Sequence, residues 1–315
     1  MLALAIAATV RIGVFGLFHP VELEVKPVRG QVLVVDSGIE SRQKAGAEPN
    51  RGSSGCRQIL EGSASALLQS PAQVTGRDGG EAAFILTVPG GGPGVPGGHP
   101  GLPARIQREF HGRLEVVQRD GHLVAIVTMD LETAVASIVA AEGSESVPYE
   151  ARKAQAVVAR SFLTAGRGRH ADFDFCDTTH CQFLREPPQR NSAASRAAAE
   201  TRGQVLTYEG RAIAALYSAD CGGHTRTLAD AGWRSGESGE FGAYPYFAVE
   251  CPVHGAIAGS LSGAFSGRGV SGHQVGMCQV GAAEMARRGS SFQEILRHYF
   301  PATAIVLADR ELAGP

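Results

Sequence analysis

The chain carries no run of basic residues, and its 29 basic and 31 acidic side chains nearly cancel over 315 residues. Nucleic acid is therefore not the expected partner. No internal segment is long and apolar enough to cross a bilayer, so no stable membrane span is expected. Also missing are the P-loop, a GxGxxG following a strand, the HExxH of zinc proteases and the GxSxG of serine hydrolases. Most of the common enzyme signatures are thereby removed. The βαβ rhythm of a doubly wound sheet is absent too, and hairpins mixed with helices argue for an α+β fold.

Glycine, by contrast, is plentiful at 41 residues, which suggests a loop-rich protein rather than a helical bundle. The six cysteines (Cys56, Cys176, Cys181, Cys221, Cys251, Cys278) are an even, scattered set. They suit disulfides in an oxidising compartment or a metal site in a reducing one. Met1 to Val10 is almost wholly apolar and contains Ala-Ile-Ala-Ala, as an export leader would, though no basic segment precedes it. Export to the periplasm or cell wall is the expectation, with a short leader.

Strand patterns follow over Arg11–Phe18, Val21–Val25 and Gln31–Val35. Ser37 to Gly80 has little periodicity and reads as a poorly packed elaboration of a β-rich N-terminal region spanning 1–88. The Pro/Gly run over 89–104 reads as a linker, because it can sustain neither helix nor central strand. The main domain is placed at 105–303, with 304–315 as a tail. In that domain a hairpin turns at Arg119-Asp-Gly, and an apolar helix covers Leu131 to Ala141. A second helix opens at Pro148 and stops at Gly166, with Ala151, Ala154, Val158 and Phe162 on one face. A third helix spans Ala193 to Thr201, and a second hairpin turns at Glu209-Gly210. Gly281 to Arg288 is helical, and Ser291-x-x-Glu294 is the capping box of a last helix ending near Pro301.

Four clusters could carry chemistry. Ala140-Ala-Glu-Gly-Ser-Glu-Ser-Val-Pro-Tyr-Glu150 sets three carboxylates between two apolar helices, where desolvation can make an acid a proton donor near neutrality. The same segment also reads as a solvated turn with Glu150 beside a helix dipole. Cys176-Asp-Thr-Thr-His180-Cys181 offers two thiols and an imidazole to one zinc, or else a short-loop disulfide. Tyr217-Ser-Ala-Asp-Cys-Gly-Gly-His-Thr225 runs a strand into paired glycines, and its Cys221 could bond Cys251. Gly272-His-Gln-Val-Gly-Met-Cys-Gln-Val-Gly281 puts His273 and Gln279 just ahead of a helix.

Together these clusters resemble the stage II sporulation protein D (SpoIID) family, which includes the LytB-type amidase enhancers. Glu150-Ala-Arg-Lys-Ala-Gln-Ala-Val-Val-Ala-Arg160 looks like the family's hallmark helix. The likeness continues through Asp177-Thr-Thr-His-Cys-Gln182, Gly203-Gln-Val-Leu-Thr-Tyr208, Tyr217–Thr225, Trp233, the His273 cluster and Ile295–Pro301. It covers about Gly112 to Pro301. Two departures stand out: Gly143-Ser144 in place of Met-Pro, and Gln274 in place of Gly.

The resemblance implies peptidoglycan remodelling, with glycan strands as partner and a cell-wall amidase as a second one. Family transglycosylases protonate the glycosidic oxygen with one glutamic acid. The same carboxylate then deprotonates the sugar 6-hydroxyl, which closes a 1,6-anhydro ring. Glu142 is preferred over Glu150 for this role, since an acid at a buried helix end is easier to desolvate than one in a first turn. Arg160, Gln182, Ser218, His273 and Gln279 would then line the glycan cleft. No cofactor is required for this chemistry, and a zinc at Cys176, His180 and Cys181 would be structural. The alternatives are a non-catalytic glycan-binding enhancer of an amidase, and a zinc hydrolase that would still need a general base.

Overall fold

The computed structural model describes residues 5–38, 56–89, 105–233, 244–252 and 272–311. The fold is α+β, as expected, and the chain divides into two compact units. One comprises Thr9–Ala134 and His170–Pro187; the other comprises Met1–Ala8, Val135–Arg169 and Pro188–Pro315.

The first unit is built on strands. Thr9–Val14 pairs antiparallel with His122–Asp130, which forms the expected hairpin with Arg105–Arg119. Arg105–Arg119 is 15 residues long and changes partners midway. Its first half pairs with Ala82–Pro89, and its second half with His122–Asp130 and Ala72–Gly76. Gly112 sits at the change, at a φ of 153°. A Cβ there would collide with the Thr128 carbonyl, so only glycine lets the strand pass. Leu23–Pro27 pairs with Ala82–Pro89 and Ala66–Leu68, and Val32–Ser37 lies between Ala72–Gly76 and Cys56–Glu61. Phe15, Phe84 and Phe110 meet edge-on or tilted, with neighbouring centroids 5.9 and 6.1 Å apart, and fill the core.

Two sequence expectations change here. The stretch from Ser37 to Gly80 is not a loose elaboration where it is described. Cys56–Glu61, Ala66–Leu68 and Ala72–Gly76 are paired strands, and Leu60, Leu68 and Val74 are buried. Short strands set among Gly, Ser and Gln leave too few alternations to register as a pattern. The Pro/Gly run largely lies outside the described residues at 90–104. The strands on either side of it, Ala82–Pro89 and Arg105–Arg119, pair with each other in one sheet. The run therefore separates two neighbouring strands rather than two domains.

The helices are α1 (Leu131–Glu142), α2 (Tyr149–Ala165), α3 (Ala193–Glu200), α4 (Gln279–Arg287) and α5 (Phe292–Tyr299). The capping box of α5 is present as read, with Ser291 and Glu294 exchanging both bonds. Within the second unit, α2 packs against α3, α4, α5 and the strand Gln204–Tyr208. Twelve of its residues are buried, from Ala151 and Arg152 through Ala154–Leu163. One apolar face was expected, but the helix is enclosed almost all round. Each fully buried Val157, Val158, Phe162 or Leu163 contributes about 1.5–3 kcal/mol. Residues 304–307, expected in the tail, instead form Ala304–Leu307 and pair with Gln204–Tyr208. Asp309–Glu311 pairs with Ala5–Ala7.

Arg160 lies in the middle of α2 with no exposed surface. Its guanidinium donates to the carbonyls of Ala198 and Gln204, both at 3.1 Å, with a weaker contact to Ala156 at 3.4 Å. It thus satisfies the C-terminal end of α3 and the start of the following strand. The expected cleft-lining role does not hold for this side chain. Arg160→Lys, which replaces a planar fork by a single ammonium, should cost about 2–4 kcal/mol in urea unfolding. A variant with unchanged stability but weakened ligand binding would return Arg160 to the cleft.

Candidate functional site

The second unit holds an open cleft enclosing about 350 Å³, between the C-terminal end of α1, the first turns of α2 and the start of α4. Glu142, Arg152, Gln155, Met277 and Gln279 are among its lining residues. Glu142 is the last residue of α1, half-buried, behind a helix whose Val135, Ile138 and Val139 are in the core. Tyr217 donates its hydroxyl to Glu142 Oε1 at 3.0 Å, and Gln279 Nε2 reaches Oε2 at 3.4 Å. Each carboxylate oxygen therefore has its own donor. Burial, followed by the negative charge of Glu142, raises the Tyr217 hydroxyl well above the ordinary tyrosine range and keeps it a donor.

Gln155 extends the arrangement. Its Oε1 lies 3.5 Å from Gln279 Nε2, while its own Nε2 is buried without a partner among the described residues. An orphaned amide donor on a cleft wall costs about 1–3 kcal/mol until a ligand oxygen meets it. Arg152 closes the rim by donating to the carbonyls of Ser144 at 2.5 Å and Val147 at 3.2 Å, which pins the loop between α1 and α2. Burial lowers its pKa. A Cβ at Gly143 would sit 3.2 Å from Arg152 Nη1 and 3.1 Å from the Val139 carbonyl. Glycine, in place of the resembling family's Met, makes room for that guanidinium.

The remaining expected residues are placed as follows. Glu150 has two partners away from the cleft lining: the Phe292 backbone N–H at 2.8 Å, opening α5, and Lys153 Nζ at 2.5 Å. Ser218 is buried, its hydroxyl unpartnered among the described residues, on the short strand Tyr217–Ser218 that pairs with Met277–Cys278. Gln182 is buried in the strand-rich unit, with its Oε1 likewise unpartnered among the described residues. Gly276 takes a φ of 76°, and a Cβ on it would strike the Leu216 carbonyl. That close approach fixes Met277 and Gln279 against Tyr217.

The first unit brings Cys176, His180 and Cys181 together, and adds His170, which sequence reasoning missed. The four donor atoms all lie within 4.8 Å of one another. His170 Nε2 is 3.2 Å from Cys181 Sγ, and His180 Nδ1 is 3.5 Å from the same sulfur. The hydrogen bond with Cys181 outweighs burial and holds the Cys176 thiol far below its ordinary range. Two thiols and two imidazoles so gathered match the donor set of a closed tetrahedral site, and none of the four positions is left for a substrate. The preceding strand Phe175–Cys176 pairs with Thr9–Val14. Next to the cluster, Asp177 takes Arg108 Nη1 at 2.6 Å and the Phe15 N–H at 3.3 Å. Burial pushes the Asp177 carboxyl up, against the pull of Arg108.

His273 packs on Trp233, with ring centroids 5.2 Å apart, and its Nδ1 accepts the Val275 N–H at 3.0 Å. That bond requires an unprotonated Nδ1. Gln274, in place of Gly, has a left-handed φ of 63° and compensates by donating to the Cys221 carbonyl at 2.7 Å. Burial lowers the His273 pKa from 6.5 to about 4. A depressed base contributes stability above its unfolded pKa and loses it as pH falls from 6.5 towards 4, by up to about 3 kcal/mol. Denaturant unfolding across that window should show a shallower acid loss for His273→Gln than for the wild type. Parallel curves would contradict the assignment.

Arg152 and Gln155 were legible in principle: they sit at i, i+3 within the hallmark helix and flank the periodic alanines on its cleft side. Tyr217 stands in a cluster already singled out, but nothing in sequence ties it to Glu142 75 positions away. Against known proteins, residues 119–208 match the model of SpoIID, the stage II sporulation protein family. An uncharacterized protein of Brachyspira hyodysenteriae is 32% identical over 120 residues. The alignment takes in 37% of this chain, and the chain spans about a third of that relative's length. The matched segment includes α1, all of α2 and the Cys/His cluster, so this part of the chain is similar to the SpoIID family, described as stage II sporulation protein.

Proposed function

We propose that the protein is an exported lytic transglycosylase acting on peptidoglycan glycan strands, with Glu142 as both acid and base. The observation that carries this reading is the cleft's acid content. Among the described residues that line it, Glu142 is the only carboxylate. Ordinary glycosidases need two carboxylates about 5–9.5 Å apart, one on each side of the scissile bond. A single carboxylate suits a reaction in which the attacking hydroxyl belongs to the sugar itself. Glu142 protonates the glycosidic oxygen as that bond breaks. It then takes the proton from the 6-hydroxyl as the 1,6-anhydro bond forms, so the carboxyl group ends as it began. Tyr217 and Gln279 hold its two oxygens in place. Gln155 Nε2 is free to meet a sugar hydroxyl or an N-acetyl carbonyl.

In the strand-rich unit, a zinc held by His170, Cys176, His180 and Cys181 would cross-link the loop to Phe175–Cys176. Its contribution would be to folding and not to the reaction. A cell-wall amidase is the further partner this reading allows.

Mass spectrometry of products from peptide-stripped glycan strands tests the assignment. Wild type should release anhydro-muramyl ends. Glu142→Gln should lose at least about 10³-fold in rate while keeping its fold. Glu150→Gln should keep the chemistry and lose about 1–2 kcal/mol of stability through its bond to α5. Glycan binding without cleavage by the wild type would sink the enzymatic reading and leave a glycan-binding module that serves an amidase.

A further inference from the structure

Outside the cleft and the Cys/His cluster, the second unit buries three more thiols together. Cys221, Cys251 and Cys278 are 1%, 4% and 0% exposed, and their Sγ atoms all lie within 4.8 Å of one another. They come from segments far apart in sequence: the loop after Tyr217–Ser218, the residue before Pro252, and the N-cap of α4. Packing alone would be served as well by alanine or valine at such positions.

The groups around the sulfurs go beyond packing. Cys278 Sγ accepts the backbone N–H groups of Cys221 and Gly281, both at 3.4 Å. Cys221 has a backbone hydrogen bond with Gly223 that favours its thiolate. Cys251 Sγ lies 3.2 Å from the Tyr299 hydroxyl. A Cβ at Gly281 would overlap both that hydroxyl and Cys251 Sγ, so residue 281 must be glycine for the group to close. Cys278 Sγ thus has two backbone donors, and Cys251 Sγ shares a hydrogen bond with the Tyr299 hydroxyl. A neutral buried thiol does not require that, whereas a metal-bound thiolate is tuned by it.

We propose that Cys221, Cys251 and Cys278 form a second metal site, a closed trithiolate for a thiophilic d10 cation, Zn(II) or Cu(I). Both cations favour thiolate sulfur and impose little geometry of their own. Binding breaks three S–H bonds, forms three metal–sulfur bonds and releases three protons to solvent, with no electron transferred. Metal uptake by this site should therefore weaken as pH falls. Tyr299 is a positioning residue here, holding Cys251 from outside the metal's coordination shell.

The test uses the full-length chain carrying Cys176→Ser and Cys181→Ser, which leaves the trithiolate set untouched. After anaerobic reduction it is titrated separately with Zn(II) and with Cu(I), and metal content is measured by mass spectrometry after desalting. One equivalent of one cation should be retained, with three sulfur scatterers at roughly 2.3 Å in X-ray absorption. Adding Cys221→Ser should reduce retention at least tenfold. Tyr299→Phe should keep the stoichiometry and weaken affinity by roughly 10-fold or more. No retained metal would overturn the proposal. So would a disulfide between two of the three cysteines, mapped in protein recovered from an oxidising compartment. Should the first variant fail to fold, Cys221→Ser in the otherwise natural chain decides: it must hold one equivalent less than wild type, and equal contents would overturn the site. Because the readout is metal and not strand cleavage, the result is independent of the transglycosylase assignment.

Discussion

A charged helix enclosed on nearly all sides is costly unless each polar group it carries is answered, and α2 meets that condition residue by residue. Arg160 is answered by the Ala198 and Gln204 carbonyls, Ser161 by the Val157 carbonyl and the Leu206 N–H, and Arg152 by the loop that follows α1. Glu150 is answered by the first N–H of α5. These bonds attach α3, α5, the strand Gln204–Tyr208 and the Ser144–Val147 turn to one rod. Gln155 is the exception, with an amide nitrogen unsatisfied among the described residues, and it faces the cleft. An open amide donor on the cleft wall is available to a ligand oxygen.

The same rod separates two glutamates that look alike in sequence. Glu150 lies in the first turn of α2 and is engaged by backbone and lysine. Glu142 ends α1 at the cleft, where a phenol and an amide each meet one of its oxygens. In the proposed reaction, a carboxylate that gives a proton and later takes one back is served by neutral donors of this kind. A lysine or arginine at the same distance would hold it ionised and withhold the first proton. The cluster of the strand-rich unit is of another chemistry, built of thiols and imidazoles.

Much of the fold was legible where local chemistry decides it. Pro148 and Gly166 bound α2, Ser291 and Glu294 cap α5, and Asp120-Gly121 turns the first hairpin. What sequence concealed was non-local. The Pro/Gly run looks like a domain boundary, yet Ala82–Pro89 and Arg105–Arg119 are ladder partners across it. Ala304–Leu307 looks like a tail because its pairing partner lies about 100 residues earlier. Arg160 looked like a ligand contact because arginine in a hallmark motif suggests function, while its burial depends on α3 and on Gln204, which periodicity does not reveal. Glu142 stands in a segment that sequence already sets apart, whereas Tyr217, Gln155 and His170 reach their sites only through tertiary packing.

The central claim is that the side chain at position 142 meets the glycosidic oxygen of a glycan strand. The most direct measurement is a crystal structure of Glu142→Gln bound to a peptide-free oligosaccharide of alternating N-acetylglucosamine and N-acetylmuramic acid. The account predicts a glycosidic oxygen within about 3 Å of the substituted amide at position 142, with Gln155 Nε2 bonded to a sugar oxygen. A sugar bound in the cleft with its bridging oxygens out of reach of position 142, or a saccharide bound elsewhere on the chain, would contradict it.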